Sequence, residues 1–166
     1  MTYYDVIKNA MNMYNDRYKY AYFYGAKGER LTNDIMDALI AVEPKYFSRY
    51  STSELASIKN FSLGKIGFDC SGFINAITGQ YNYSTGYFEN CSVKTTPRDG
   101  VEGSCLYTTF GGTGRHIGID IGKGFFLHMA KEGQSVTFGK ISDYAWEKSG
   151  QIKNIDYKGA LKWKWV

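Results

Sequence analysis

Apolar and polar positions along this chain follow two periods, a helical one in the first half and a strand-like one in the second. In residues 1–24, Tyr3, Ile7, Ala10, Tyr14, Tyr18 and Ala21 recur at spacings of three and four, which predicts one amphipathic helix. Thr2-x-x-Asp5 has the form of a capping box at its start, and Gly25 breaks it. Two shorter helices follow. The first covers roughly 33–43, with Ile35, Leu39 and Val42 on one face and Pro44 as its stop. The second covers roughly 52–60 and is opened by Ser51-x-x-Glu54. A further helix starts at Cys70, because Phe73, Ile74 and Ile77 follow at helical spacing. Residues 79–104 carry turn and breaker residues and read as loop.

From residue 105 the period changes. Residues 105–110 read as a strand, residues 116–121 alternate around β-branched positions, and Gly122-Lys123-Gly124 is a turn signal. Phe125 to Met129 then reads as a returning strand. Residues 135–141 and 151–157 predict further strands, with a short helix over 142–147 ending near Gly150. Leu161, Trp163 and Trp165 alternate in a tail that predicts a closing strand. No repeat or linker interrupts the chain, so a single domain over residues 1–166 is expected, with residues 29–64 as a helical insertion.

Composition narrows the function classes. With 166 residues and 43% hydrophobic residues the chain can bury one core. A net charge of +4 suits polyanions in general, but there is no Lys/Arg run or nucleic-acid motif, so nucleic acid is not an expected partner. No apolar run approaches the ~20 residues of a membrane span, so membrane insertion is not expected. A monomer is expected. The heavy load of 15 tyrosines and 3 tryptophans is read mainly as core. Cys70, Cys91 and Cys105 lack metal-ligand spacing, so no metal or cofactor is expected, and Cys91 and Cys105 are read as free thiols. Met1-Thr2-Tyr3-Tyr4-Asp5 carries no secretory signal.

The chemistry concentrates in two stretches. Gly67-Phe68-Asp69-Cys70-Ser71-Gly72-Phe73-Ile74 delivers a cysteine to the first turn of a helix, where free N–H groups and the helix dipole favour a thiolate and pull the thiol below its ordinary ~8.5. The other stretch holds both histidines of the chain, His116 and His128, on the predicted hairpin. Their separation of twelve is even, so an odd hairpin loop puts them on one sheet face, opposite or diagonal. A thiol, a base and a third group that orients the base make an activated nucleophile. Asp120 shares the parity of His116, so Asp120 and His128 compete for the orienting position.

Phe68-Asp69-Cys70-Ser71-Gly72-Phe73, followed by His116-Ile117-Gly118-Ile119 and His128, resembles the NlpC-type cell-wall cysteine peptidases over roughly residues 66–130. The resemblance implies Cys70 as nucleophile, His116 as general base and His128, rather than Asp120, as the residue orienting it. Tyr22-Phe23-Tyr24-Gly25 matches an upstream aromatic element of that family, which implies Tyr22 beside the sulfur. It further implies that Asp69 and Ser71 bind the free amino end of a peptidoglycan stem peptide. The departures are residues 29–64, between elements that are usually close, and Ser104 in place of an acid.

The fold so implied is α+β and papain-like, with N-terminal helices packed on an antiparallel sheet of about five or six strands. The Cys70 helix should lie with its start toward the histidine hairpin. The implied activity is hydrolysis of peptidoglycan stem peptides at the bond between D-glutamate and the diamino acid, with no metal. The setting expected from the absent signal is a phage or prophage lysis enzyme, made in the cytoplasm and acting on the wall after release. The rival readings are a cysteine amidase cutting the sugar–peptide or cross-bridge bond, an acyltransferase, and a non-catalytic wall-binding module.

Overall fold

The computed structural model describes residues 1–162. Among them six α-helices and nine strands form two sheets. Helix α1 (Tyr3–Asn15) starts at the expected capping box, with the Thr2 side chain and the Asp5 side chain each accepting from the other's backbone N–H. It is shorter than its apolar stripe predicts. It ends at Asp16, and after one 3-10 turn the chain becomes strand β1 (Tyr20–Tyr22). The reason is tertiary. Ala21 continues the helical period, yet its neighbours' backbones pair in parallel with β3 (Ile66–Phe68), Tyr22 opposite Phe68. Strand β2 (Lys27–Arg30) pairs antiparallel on the other side of β3, placing Lys27 opposite Phe68. This three-stranded sheet, β1-β3-β2, has no counterpart in the sequence reading. Gly67 allows it to pack closely, since a Cβ there would come within 2.7 Å of Leu31.

Between β2 and β3 stand α2 (Asn33–Val42), α3 (Pro44–Phe47) and α4 (Thr52–Ser62). Pro44 ends α2 as expected and also opens the short α3, where its missing N–H costs nothing. Their apolar faces close a separate core of Phe23, Leu31, Met36, Phe47 and Ile58.

The main sheet has six antiparallel strands in the order β4-β9-β5-β6-β7-β8. These are β4 (Lys94–Thr95), β5 (Cys105–Phe110), β6 (Thr113–Gly122), β7 (Phe125–His128), β8 (Thr137–Lys140) and β9 (Lys148–Gly150). One face, with Tyr107, Ile117, Ile119 and Leu127, packs on α1 and on α5 (Cys70–Thr78) through Val6, Ala10, Phe73, Ile74 and Ile77. The other carries Leu106 and Phe126 under Ile141 and Trp146.

Three local expectations fail. Residues 79–104 contain α6 (Ser84–Asn90), which buries Tyr87 and Phe88 against the sheet. Residues 151–157 form no strand. Their place is held by a bridge from Asp156 to Thr2 and by the Tyr157 hydroxyl, which donates to the Gly103 carbonyl at 2.8 Å. The segment 142–147 is a single 3-10 turn (Ile141–Asp143) leading to β9. The predicted closing strand falls largely outside the described residues. Among the described residues no helix is long and apolar enough to cross a membrane.

Candidate active site

Cys70 is the first residue of α5, and the chain reaches it through Asp69, the N-cap. The Asp69 Oδ1 accepts from Gly72 N at 2.7 Å, which satisfies one of the open donors of the helix start. Gly72 is needed because a Cβ there would sit 2.8 Å from the Ala26 carbonyl. The same carbonyl accepts from Asp69 N, so the strand entering β2 is bound to the helix start. The start of α5 meets β6 at its His116–Ile117 step, where the Ile117 N–H is directed at the Cys70 sulfur.

The cysteine is half-buried and closely surrounded. The dipole argument predicts a lowered thiol pKa, and the structure gives the reverse. Burial pushes the Cys70 thiol up to about 12, and the Asp69 charge adds to this. The Ile117 N–H, Lys27 and the Ser71 N–H act in the other direction and are outweighed. The site therefore rests at neutral pH as a thiol. Cys91 and Cys105 are also free thiols.

The two histidines meet as the parity argument requires. Ile119 pairs with Leu127 and Asp120 with Phe126, and a bulge before Gly122 makes the turn odd. His116 and His128 are thus diagonal neighbours, and His116 Nε2 lies 3.0 Å from His128 Nδ1. When His116 donates from Nε2, its Nδ1 keeps a lone pair able to take a proton. Burial holds His116 down to about 4 and His128 down to about 3, the latter also through its neighbour's charge. Both are neutral at pH 7.

An aromatic box fixes this pair. Trp146 stacks on His116 at 5.6 Å between centroids and 10° between planes, while Tyr144 and Phe126 stand edge-on to His128 at 5.0 and 4.9 Å. Gly118 makes room for it, because a Cβ there would meet Trp146 at 2.9 Å. Asp120 is removed from the competition. It lies four residues along β6 from His116, about 13 Å, and its Oδ1 accepts from Gly122 N at 2.7 Å.

Tyr22 is brought to the sulfur. It is buried, and its phenol is raised first by burial and then by the charge of Cys70. Tyr46, from α3, stands beside it and stacks on Tyr24 at 3.8 Å. The Tyr46 and Tyr50 hydroxyls donate to Glu132 Oε2 at 2.9 and 2.7 Å. The helical segment 33–62 therefore forms one wall of the site, tied to the β7–β8 loop.

Asp69 and Ser71 are not open to solvent chemistry. The Lys27 ammonium donates to Asp69 Oδ1, Asp69 Oδ2 and Ser71 Oγ, each at 2.6 Å. Sequence reasoning missed Lys27, Tyr46, Trp146 and Tyr144, which no local pattern links to Cys70. Gly118 had a signal in the His116-Ile117-Gly118 step, a glycine in a strand beside a histidine. A cavity of about 810 Å3 lies between Asn15–Tyr18 and Gly133–Thr137 and holds none of these side chains.

Comparison with known proteins agrees with this arrangement. The NlpC/P60 family model matches residues 56–152, more than half of the chain. No curated protein sequence gives a significant match. Among solved structures, the NlpC/p60 domain of the peptidoglycan hydrolase SagA superposes with a TM-score of 0.58 at 18% identity, covering 92% of this chain and 100% of that one. The P60 domain of an antigen from M. avium subspecies paratuberculosis gives 0.57 at 14% identity over 93% and 98%. The peptidoglycan hydrolase RipB from Mycobacterium tuberculosis gives 0.55 at 14% identity over 91% and 67%. At these identities the superpositions speak for the papain-like α+β fold, and the family match speaks for descent: the chain belongs to the NlpC/P60 family.

Proposed function

We propose that this protein is a cell-wall hydrolase that cuts peptidoglycan stem peptides with Cys70 as nucleophile, at the bond between D-glutamate and the diamino acid. The observation that carries the reading is the 3.0 Å bond between His116 Nε2 and His128 Nδ1 on a strand that meets the Cys70 helix start. Three of the family's solved relatives are peptidoglycan hydrolases or P60 domains by their own description, which supports the substrate class.

In the proposed cycle His116 Nδ1 takes the Cys70 proton, and the sulfur forms a bond to the scissile carbonyl carbon. The thiolate and imidazolium, each disfavoured alone by burial, stabilise one another as a pair. His128 stays neutral and keeps its lone pair on the His116 N–H. The Cys70 N–H, unpaired within the first turn of α5, faces the developing oxyanion, a type of contact worth about 3 kcal/mol. The C–N bond breaks as the amine takes the proton from His116, and water then releases the acyl group from sulfur.

The test is a digestion of purified peptidoglycan by wild type and Cys70→Ala, with products read by mass spectrometry. New amino ends on diamino acids in the wild-type digest alone are the expected result. New amino ends on L-alanine or on bridge residues would keep the hydrolase and replace the bond. An absence of Cys70-dependent products on walls of differing chemistry would sink the reading.

A further inference from the structure

The Glu132 carboxylate stands where parts of the site from three regions of the chain meet. It lies on the loop between β7, which ends at His128, and β8. The same loop is bound to β1, where Tyr22 N donates to the Gln134 carbonyl at 2.8 Å. From the helical segment, Tyr46 in α3 and Tyr50 just beyond it donate to Glu132 Oε2 at 2.9 and 2.7 Å. Glu132 is only 5% exposed, and its Oε1 is buried without a hydrogen-bond partner among the described residues. None of the ion pairs among the described residues includes it.

This is a costly residue to use for filling space. A buried carboxylate with no cation gives up its hydration, and one of its oxygens recovers nothing. What it supplies is a single strong acceptor that two phenols share through charge-assisted bonds. Burial first, and then the Glu132 carboxylate, raise the Tyr46 and Tyr50 phenols, so both remain donors at neutral pH. The Tyr46 ring so held lies flat on Tyr24, with 13° between planes, and stands beside Tyr22. The charge of Cys70 acts on both Tyr22 and Tyr24, so the next layer of this wall faces the sulfur. We propose that Glu132 is a positioning residue: through Tyr46 and Tyr50 it clamps the helical segment to the catalytic sheet, and so sets how narrow the approach to Cys70 is. It acts through the tyrosine wall and not on the sulfur itself. A slender chain reaches Cys70, and a bulky group beside the reacting bond is turned away. As a statement about substrates this rests on the peptidase reading above, but as a statement about access to Cys70 it stands without it.

The experiment compares the labelling rate of Cys70 by N-methylmaleimide and by a maleimide carrying a bulky fluorophore, read peptide by peptide in a mass spectrometer, with Cys91 as internal reference. Wild type should label faster with the small reagent. Glu132→Ala should lower that preference at Cys70 by about fivefold, the size of one hydrogen bond, and leave it unchanged at Cys91. The double variant Tyr46→Phe, Tyr50→Phe keeps both rings and removes only the donors, so it should do the same, and it decides alone where Glu132→Ala does not fold. Glu132→Gln still offers a carbonyl to both phenols and should stay near wild type. On a stem peptide, Glu132→Ala should raise KM severalfold with kcat nearly held. A Cys70 preference unmoved in these variants, or a change shared equally by Cys91, overturns the proposal and leaves Glu132 as a tie of the fold. A Glu132→Gln that behaves as Glu132→Ala overturns the acceptor role as well. Failure of the peptidase reading would appear separately, as the lack of any Cys70-dependent product from whole peptidoglycan.

Discussion

On the sheet side of the site the side chains are neutral and mostly aromatic, packed on one another: His116, His128, Trp146, Tyr144 and Phe126. On the strand side they are charged and bonded to one another: Lys27, Asp69 and Ser71. Both sides are dry, yet they solve the problem differently. The first stays uncharged, because burial depresses both imidazoles and outweighs the Asp69 charge that acts on His116. The second keeps its charges and cancels them internally. A base that must accept a proton and later return it suits the first solution, since its charge state can change. A closed ion pair suits a fixed boundary, since its charge state cannot change cheaply.

The contrast predicts where substitutions hurt most. Replacing His116 by Ala should lower kcat/KM by about two to four orders of magnitude, read by steady-state kinetics on a stem peptide. His128→Ala should cost about tenfold, because a neutral partner supplies one hydrogen bond and an orientation. A loss at His128 as large as that at His116 would mean the two act as one proton relay, and the contrast would need redrawing.

Gly118→Ala tests the aromatic box. The new methyl group meets Trp146 at 2.9 Å, and the ring must move off His116. Overpacking of this kind costs about 1–3 kcal/mol, which should lower Tm by several degrees at this chain length. Activity should fall beyond what the lost stability explains. A variant that keeps Tm and activity would show that the box yields freely.

The neutral side also sets the pH response. His116 works as a base only when unprotonated, and its folded value is about 4, so kcat/KM should fall only as pH drops toward 4, well below the ordinary histidine value of about 6.5. Stability carries the same sign. Both histidines are depressed, so their contribution is present above about 6.5 and is lost as pH falls toward 4 and 3. A scan of Tm from pH 8 to 4 should show this decline, and His128→Gln should flatten it.

The smallest expected effect is at Asp120. Burial raises its carboxyl to about 6, so this group favours the fold below its ordinary value of 3.8 and loses that contribution as pH rises through 6. Asp120→Asn keeps the acceptor for Gly122 N and removes the buried charge. It should raise Tm at pH 7.5 by a few degrees, from about 1–2 kcal/mol, and the gain should vanish near pH 4.

How far these features were legible depends on the range of the interaction behind them. The histidine pair was legible as far as strand parity and a glycine turn go, since both are local, but the bulge before Gly122 that makes the turn odd and brings residues 116 and 128 onto one face was not. The capping boxes at Thr2 and Ser51 were legible for the same reason. The end of α1 was not, because the apolar stripe runs on into residues that strand pairing with β3 claims. Helix α6 was not, because seven residues with a glycine and two hydroxyls have little helical preference until Tyr87 and Phe88 find the sheet.

The sequence by itself determined the nucleophile-bearing helix start, the histidine hairpin, and the family in which Cys70, His116 and His128 occur together. Each rests on spacing within a dozen residues or on a motif readable in order. Only the tertiary structure decided the electrostatics. Whether a helix-start thiol is lowered or raised depends on how much water the surrounding elements remove, and here Tyr22, Tyr144 and the sheet remove enough to reverse the dipole. Whether Asp69 is open or closed depends on Lys27, 42 positions earlier, which reaches it only because β2 pairs with β3.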